Sequence, residues 1–347
     1  MNRCFNQIHS ATINFGIEYK LFDIIAKANG RHVSAIEVAS QLPSSLQHQD
    51  LAFRLDRVLR LLATQSLLTC SYGGANSSGD ETQRERLYGI SPIGKFFVSA
   101  NENTSGSVAL ISTFLAYPAI VDAWLNFKNA IIDKDTDDLY KKVHGMALYQ
   151  YAEIDPIWNN LFNKAMENLS FIMMTRILEI YNGFEGISTL VDVGGGTAQT
   201  LKMILSKYPS IKAINFDLPL VIQNAPPHPG IEHVEGDMFA SIPKGDAIIL
   251  KNICHNWSDE SCIRILSECY KALPENGKVI VLDVIMGEEV EESEEAKLAS
   301  TLDNLMFVYG GRERSEKEFE SLCKPSGFSG IKLACRAFHQ GIVEFYK

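Results

Sequence analysis

A run of glycines stands between an apolar segment and a segment of helical spacing, in LVDVGGGTAQTL at 190–201. The apolar segment predicts a buried strand that ends in an acid, Asp192, and turns through Gly194 into a helix. Glycines at such a turn let the backbone approach a ligand closely and adopt positive φ. Asp217 closes the next apolar segment (INFD), 25 residues after Asp192. A carboxylate at the end of a second strand is placed to accept hydrogen bonds from both hydroxyls of a ribose.

Polar residues also follow the next two apolar segments. In GDMF, Asp237 and Met238 come after a third predicted strand, where the carboxylate can accept from an adenine amino group and the Met can pack on the ring. The segment DAIILKNICHNWSDE places Lys251, His255 and Trp257 after a fourth strand. A single histidine is more often structural than catalytic. Here it continues a series of strand-end polar residues, at the edge where such sheets bind ligands, and this favours a general base.

A dinucleotide cofactor is the competing interpretation of the glycine turn. A nicotinamide-binding turn would read GxGxxG, and the run here is GGGTAQ. The sequence also has no GK[ST] phosphate loop after a strand. The pattern therefore favours a nucleoside ligand without phosphates, which suits S-adenosylmethionine.

The elements that would position these residues alternate in type. TLVDVG, KAINFDL, DAIILKN and GKVIVLDVI are short β-rich runs, separated by helical segments such as TLKMILSKY and ESCIRILSECYKAL. Strands alternating with helices predict a mostly parallel sheet with helices on both faces, an α/β fold of the Rossmann-like type. Residues 106–185 read as mostly helical.

The N-terminal part has a different pattern of predicted elements, mostly helices. Residues 11–28 predict a helix, Ser34 with Glu37 a capping box that starts a second, and LAFRLDRVLRLLATQSLL a third. Two short strands around a polar tip follow, which is a winged-helix pattern. Three arginines of the third helix then raise a DNA-binding alternative; they are Arg54, Arg57 and Arg60. The chain has a net charge of −10, and this favours a solvated or subunit-facing stripe instead, paired with carboxylates such as Asp50 and Asp56.

Composition bounds the class of protein. The 347 residues are 46% hydrophobic and 21% charged, as in an ordinary soluble protein of two domains or of one with an appendage. The acidic balance argues against nucleic acid or an anionic membrane as a partner. The seven scattered cysteines predict reduced thiols, and neither a signal pattern nor a long apolar run is present. We therefore expect a cytoplasmic protein without metal.

Over nearly its whole length the chain resembles the plant small-molecule O-methyltransferases, the caffeic acid O-methyltransferase-like family. The shared segments are AINFDLP, EHVEGDMF, KNICHNWSDE, ALPENGKVIV, GGRERSEKEF and VEFYK. The resemblance implies a winged-helix-like dimerisation domain at 1–105, a helical connector and substrate-pocket segment at 106–185, and an S-adenosylmethionine-binding domain at 186–347. It also implies a homodimer, which the apolar N-terminal helices favour as well.

The resemblance assigns roles to individual residues. Asp217 would hold the ribose, Asp237 and Met238 the adenine, and Trp257 would pack on that ring. Lys251 and the Gly194 turn would contact the methionine end of the cofactor. His255 would take the acceptor's phenolic proton, flanked by two acids, Asp283 and Glu313. The acceptor pocket would be lined by apolar residues, each of which could equally be ordinary core: Trp158, Phe162, Met166, Leu302, Leu305 and Met306.

Four residues depart from the family pattern. Ala198 stands where a glycine is usual and would crowd the cofactor turn by one methyl group. Asn256 replaces an aspartate after the base, so that a negative charge or strong acceptor is lost beside the acceptor's second substituent. Asn252 replaces an aromatic residue of the pocket wall, and Asp283 a longer glutamate.

The sequence therefore predicts transfer of a methyl group from S-adenosylmethionine to a hydroxyl of a small aromatic molecule. The departures keep two alternatives open on the same fold, an N-methyltransferase and a non-methylating enzyme that uses the sulfonium as a fixed charge. A non-enzymatic DNA-binding regulator is the third, and the acidic charge disfavours it.

Overall fold

The computed structural model describes residues 2–73, 84–99 and 106–347. The chain divides into two compact units. The first unit is Met1–Val121 with Ile157–Leu169, and the second is Asp122–Pro156 with Ser170–Lys347. The helical segment predicted at 106–185 thus contributes to both units, and our domain boundaries at 105 and 185 stay a prediction.

Four helices form the N-terminal part of the first unit: α1 (Asn6–Glu18), α2 (Leu21–Ala26), α3 (Ala35–Ser40) and α4 (Leu51–Thr64). The single helix predicted over 11–28 is wrong, because Lys20 takes a left-handed backbone (φ 53°) and separates α1 from α2. The capping box that starts α3 is confirmed, with the Ser34 hydroxyl and the Glu37 carboxylate each accepting the other residue's backbone N–H.

A small antiparallel sheet follows in the order β1 (Val33–Ser34), β3 (Glu85–Ile90), β2 (Leu68–Gly73). The two strands predicted after the third helical segment are confirmed as β2 and β3, although four helices precede them and not three. The predicted tip of the wing, at 74–83, lies outside the described residues. On α4, Arg54 lies 3.9 Å from Asp50, whereas Asp56 pairs with Arg86 of β3. Asp50 therefore pairs with an arginine of the stripe, as expected, whereas Asp56 pairs with Arg86 instead.

The middle of the chain is helical, as predicted. Its helices are α5 (Ala109–Leu115), α6 (Pro118–Leu125), α7 (Phe127–Ile132), α8 (Leu139–His144), α9 (Leu148–Ile154) and α10 (Pro156–Ile180). None of the helices in the described part of the chain is long and apolar enough to cross a membrane.

The second unit contains a mostly parallel eight-stranded sheet, which confirms the predicted α/β Rossmann-like class. Its strands are β4 (Thr189–Val193), β5 (Lys212–Asp217), β6 (Ile231–Glu235), β7 (Ala247–Lys251), β8 (Lys278–Met286), β9 (Arg314–Ser315), β10 (Gly330–Ala337) and β11 (Gln340–Tyr346). The order is β10-β11-β8-β7-β4-β5-β6, with β9 on β8. Strand β11 runs antiparallel to both its neighbours.

Helices follow most of these strands: α11 (Gln199–Lys207), α12 (Pro219–Asn224), α13 (Asp259–Ala272), α14 (Glu294–Val308) and α15 (Glu316–Cys323). Strand β7 shows how the sheet is buried on both faces. Ile248 and Leu250 belong to one apolar cluster, while Ala247 and Ile249 belong to another, because successive side chains point to opposite faces. The carboxyl ends of β4, β5, β6 and β7 are thereby held on a rigid frame.

Candidate active site

The glycine turn after β4 has no room for side chains at its first two positions. Gly194 has φ 69°, and a Cβ there would lie 2.4 Å from Cδ1 of Ile253. A Cβ on Gly195 would lie 2.2 Å from Oδ1 of Asn215. Gly196 also has positive φ, 58°. The turn therefore requires glycine, as the sequence predicts, both for its conformation and for its close contacts.

Ala198 is the last residue of this turn and precedes α11. It is buried and left-handed, with φ 65° and ψ 19°. An L-residue with a Cβ is strained in that region, whereas glycine is not. The departure at this position thus puts strain in the backbone, in addition to the methyl group that the sequence analysis considers.

Asp217 holds the turn from the end of β5. The N–H of Gly196 donates to its Oδ2 (2.9 Å) and the N–H of Leu218 to its Oδ1 (2.7 Å). Burial raises the pKa of Asp217, and these two hydrogen bonds oppose the rise. Each carboxylate oxygen has a second lone pair, so Asp217 can support the turn and still accept from a ligand diol.

Asn215, which the sequence analysis missed, lies behind the same turn and is fully buried. Its Nδ2 donates to the carbonyl of Gly196 (3.0 Å) and lies 3.1 Å from Nδ1 of His233. Oδ1 of Asn215 has no hydrogen-bond partner among the described residues. A polar residue inside the apolar run AINFD was the available signal, since a buried amide in a strand needs partners.

Asp192 and Lys251 place opposite charges near the turn. Asp192 is 1% exposed, and burial raises its pKa to about 7 although Lys251 opposes the rise. Its Oδ2 has no hydrogen-bond partner in the described part of the chain. Burial also lowers the pKa of Lys251, against the charges of Asp192 and Asp283, and its Nζ donates to Oγ of Ser170 (2.9 Å). Burial therefore disfavours the charged form of both side chains, and the attraction between them favours it.

His255 lies in a single 3-10 turn after β7, beside Glu313. Its Nδ1 is 3.0 Å from Oε1 of Glu313, which is 4% exposed. An ionised carboxylate only accepts hydrogen bonds, so Nδ1 carries the hydrogen and Nε2 remains as the proton acceptor. Burial lowers the pKa of His255, but the charge of Asp283 and the contact with Glu313 outweigh it and raise the pKa above its usual value.

Asp283 lies inside β8 and is 1% exposed. Burial raises its pKa to about 7, against the charges of His255, Arg314 and Lys251. Both its carboxyl oxygens lack a hydrogen-bond partner among residues 2–73, 84–99 and 106–347. The structure thus brings Asp283 and Glu313 to His255, as the resemblance implies.

Asn256 presents an oxygen, with its orientation set by the backbone. Its Nδ2 donates to the carbonyls of Asn252 (2.9 Å) and Ile253 (3.4 Å), which fixes which end of the amide is nitrogen. Its Oδ1 lies 3.4 Å from the hydroxyl of Tyr149, a residue that the sequence analysis missed. A neutral amide oxygen of fixed orientation thus stands where the family pattern has a carboxylate, and the loss of a strong acceptor beside the substrate stays a prediction.

Asn252 is left-handed (φ 54°), and its Oδ1 accepts from Nε2 of Gln340 on β11 (2.7 Å). Its side chain is thus engaged with the antiparallel strand. A role for Asn252 in binding an acceptor stays a prediction.

The predicted adenine site lies after β6 and β7. Oδ1 of Asp237 accepts from the N–H of Phe239 (2.9 Å), and the Phe239 ring meets Trp257 edge to face, 4.9 Å between centroids. Met238 and Trp257 are half-buried against one apolar cluster. The three predicted residues therefore share one neighbourhood, and adenine binding stays a prediction.

The predicted acceptor-pocket residues fall in two units. Trp158, Phe162 and Met166 belong to the part of α10 in the first unit, where Trp158 stacks on Phe162 (5.2 Å) and both rings lie 5.3 Å from Phe114. Their predicted companions are half-buried residues of α14 in the second unit: Leu302, Leu305 and Met306. The pocket itself stays a prediction. In the described residues, no group of three His, Cys, Asp or Glu could hold a metal ion.

The chain is similar to known methyltransferases in sequence and in fold. A family model for the O-methyltransferase domain matches residues 124–329, and one for the O-methyltransferase dimerisation domain matches residues 1–100. The chain is 45% identical to a caffeic acid 3-O-methyltransferase of Medicago sativa over 95% of this chain and 89% of that protein. It is also 45% identical to O-methyltransferase 13 of Lophophora williamsii, over 95% and 90% of the two chains.

Solved structures share the fold. Human N-acetylserotonin methyltransferase, solved with S-adenosylmethionine, superposes with a TM-score of 0.79 at 19% identity, covering 100% of this chain and 97% of that one. A methyltransferase of calicheamicin biosynthesis gives 0.80 at 21% identity, over 99% and 96%.

Proposed function

The chain belongs to the O-methyltransferase family, and we propose that it transfers a methyl group from S-adenosylmethionine to a hydroxyl of a small phenolic metabolite. The observation that carries the proposal is the 3.0 Å contact between His255 and Glu313, which leaves Nε2 of His255 as a base at the carboxyl edge of the sheet. The caffeic acid 3-O-methyltransferases among its relatives support the phenolic class of acceptor.

The residues of the turn fit this cofactor. At Gly196 nothing lies within 4 Å of the position that a Cβ would take, so that this part of the turn is open to a ligand, and Asp217 retains lone pairs for a ribose. The buried oxygen of Asp192 that has no partner would be stabilised by a cationic group. S-adenosylmethionine carries two such groups, its amino group and its sulfonium. When bound, the cofactor supplies a methyl group on a positively charged sulfur. Asp237, Met238 and Trp257 would hold its adenine.

His255 would remove the proton of the acceptor hydroxyl. A phenol has a pKa near 10 and histidine one near 6.5, so the transfer is uphill in the ground state. The raised pKa of His255 narrows that gap, because Asp283 and Glu313 stabilise the imidazolium. Glu313 also fixes the ring so that Nε2 accepts the proton. Positioning of the acceptor and proton removal are the two tasks left to this chain's own residues.

Asn256 is proposed to recognise the acceptor's neighbouring substituent. Its oriented Oδ1 can accept from a hydroxyl or amine next to the reacting oxygen. Without a negative charge, it would hold such a donor more weakly than the aspartate of the family pattern would.

We propose a homodimer, since the dimerisation-domain match covers 1–100. Light scattering should give twice the chain mass of 38.6 kDa. All seven cysteines are free thiols, which supports the cytoplasm as the proposed location.

The test is a screen of phenolic acids, coumarins, flavonoids and phenolic alkaloids with labelled cofactor, read by mass spectrometry. We expect products heavier by CH₂ and methylated on oxygen. With a good acceptor, His255→Gln should lower kcat by about 10²–10⁴-fold and remove the rising limb of the pH–rate profile. Methylation on nitrogen, or turnover without a mass gain, would instead support the two alternatives on this fold. A loss below tenfold with an unchanged pH profile would exclude His255 as the base.

A further inference from the structure

Arg314 is a fully buried charged side chain close to His255 in the fold. The residue is 1% exposed and its side chain 0%. It forms β9 with Ser315, and this strand pairs in parallel with the end of β8 at Ile285. Burying a guanidinium is costly unless its donors are used, so the partners of this side chain show what it holds.

The partners of Arg314 lie on both sides of His255. Its Nη1 donates to the carbonyl of Cys254 (2.7 Å), and its Nη2 donates to the carbonyl of Trp257 (2.7 Å). We call residues 254–257 the base loop, since they contain His255 and Asn256 between these two carbonyls. One planar cation thus fastens both ends of the base loop.

Asp259 orients the guanidinium from the start of α13. Its Oδ1 accepts from Nε (2.9 Å) and from Nη2 (2.7 Å) of Arg314. The carboxylate is half-exposed, so that it neutralises the buried charge without being buried itself.

The two residues before Arg314 contact the base loop as well. The N–H of Arg312 donates to the carbonyl of His255 (2.9 Å), and Glu313 receives Nδ1–H of the same residue. The backbone N–H of Glu313 is in turn held by Oδ1 of Asp303 on α14 (2.9 Å). Three successive residues, 312–314, therefore set both the backbone and the ring of His255.

We propose that Arg314 is a positioning residue, which fixes the base loop so that Nδ1 of His255 meets Glu313 and Nε2 faces the acceptor. This inference rests on the proposed role of His255 as the base. Lysine cannot replace Arg314, because an ammonium lacks the rigid fork that reaches two carbonyls and a carboxylate in one plane. Misplacement of a reacting group by about 1 Å can lower a rate by 10²-fold.

The test compares Arg314→Lys with Arg336→Lys as a matched control. Arg336 lies in the same unit and donates to one backbone carbonyl, that of Ile285, the β8 residue that pairs with Arg314; it therefore controls for a disturbance of the end of β8 that leaves the guanidinium of Arg314 in place. With kcat normalised to the folded fraction, Arg314→Lys should lower kcat by about 10–100-fold, while the Kd for the cofactor by calorimetry changes less than about twofold. Arg336→Lys should leave both values unchanged.

Two further readouts separate positioning from a purely structural role. In the His255→Gln background, Arg314→Lys should lower kcat no further, because both changes act through one base. In the single variant, NMR titration should show the pKa of His255 falling toward its usual value, because the contact with Glu313 loosens. If kcat of the folded fraction is unchanged in Arg314→Lys, or if the two effects multiply, the inference is overturned.

Asp259→Ala keeps the inference testable if Arg314→Lys does not fold. It removes a half-exposed carboxylate and leaves the guanidinium without its orienting partner. We expect a fall in kcat of about 3–10-fold with cofactor affinity retained; an unchanged kcat counts against the inference. The His255→Gln result distinguishes the two proposals. If His255→Gln lowers kcat strongly and Arg314→Lys does not lower it, only the positioning role of Arg314 is overturned. If His255→Gln lowers kcat only slightly, the role of His255 as the base and the positioning role of Arg314 are both overturned.

Discussion

Asp56 in the first unit and Asp283 in the second are carboxylates in opposite situations. Asp56 accepts from Nε and Nη2 of Arg86 (3.1 and 2.6 Å) and from the hydroxyl of Tyr88 (2.7 Å). The hydrogen bond from Arg86 is the main reason that the pKa of Asp56 is lowered. Asp283 is 1% exposed with neither oxygen paired in the described residues, and burial raises its pKa to about 7.

The difference indicates what each carboxylate does. A buried polar group normally has hydrogen-bond partners, and an ionised one is destabilising without them. Asp56 meets this condition within the protein, so its network of Arg86 and Tyr88 serves stability. Asp283 does not, which is typical of residues retained for function near a ligand or a base.

Asp283→Asn should separate function from stability. We expect kcat to fall about 10–100-fold, because the imidazolium of His255 loses a stabilising charge. Stability should move the other way. The folded-state pKa near 7 lies above the usual 3.8, so this carboxyl's contribution is full below 3.8 and lost as pH rises through 7. At about pH 8, the variant's free energy of unfolding should exceed the wild type's by about 1–4 kcal/mol.

Asp56→Asn is the matched variant and should show the opposite pattern. It weakens the contacts with Arg86 and Tyr88, and we expect the free energy of unfolding to fall by about 1–3 kcal/mol at neutral pH. The folded-state pKa of Asp56 is lowered, so its contribution is present above the usual value of 3.8 and lost at lower pH. Urea denaturation at several pH values, with kcat per folded molecule, checks both variants. The comparison fails if Asp283→Asn destabilises the protein as Asp56→Asn does while kcat is kept.

Asp217 lies between these two cases, since the backbone satisfies each of its oxygens once. Asp217→Ala should weaken cofactor binding by about 10–100-fold and change kcat little at saturating cofactor, because charge-assisted hydrogen bonds to the ribose are lost. Asp217→Asn keeps one acceptor oxygen for the turn and should lose less affinity. Calorimetry measures the cofactor affinity of both variants. An unchanged affinity in Asp217→Ala would show that Asp217 does not bind the cofactor.

Ala198 affects stability through backbone strain and not through a charge. Its substitution should therefore have the smallest effect of these variants. Ala198→Gly relieves a left-handed alanine (φ 65°), and we expect a gain of about 0.5–1 kcal/mol in the free energy of unfolding. Ala299→Gly, in the right-handed helix α14, is the control and should lose a similar amount. Thermal unfolding of the two variants measures these changes. If both variants change the free energy of unfolding in the same direction, backbone strain at Ala198 is not the cause of the change in Ala198→Gly.

The order of strand-end residues could be predicted from the sequence. Asp217, Asp237 and His255 each follow an apolar run, and parallel strands place their carboxyl ends at one edge. The break at Lys20 could not be predicted, because the apolar spacing continues through it while the backbone turns left-handed. The acids beside His255 were implied by family resemblance and not by spacing.

The sequence by itself determined the α/β class, the glycine turn, the capping box at Ser34 and the edge of the sheet at which the strand-end polar residues lie, because these depend on residues near one another in the chain. Tertiary structure decided the contacts around His255. Glu313 is 58 residues away from it, and Arg314 is 60 residues away from Cys254. These meet because β9 pairs with β8 beside β7, a long-range arrangement set by packing of the whole sheet that local pattern does not encode.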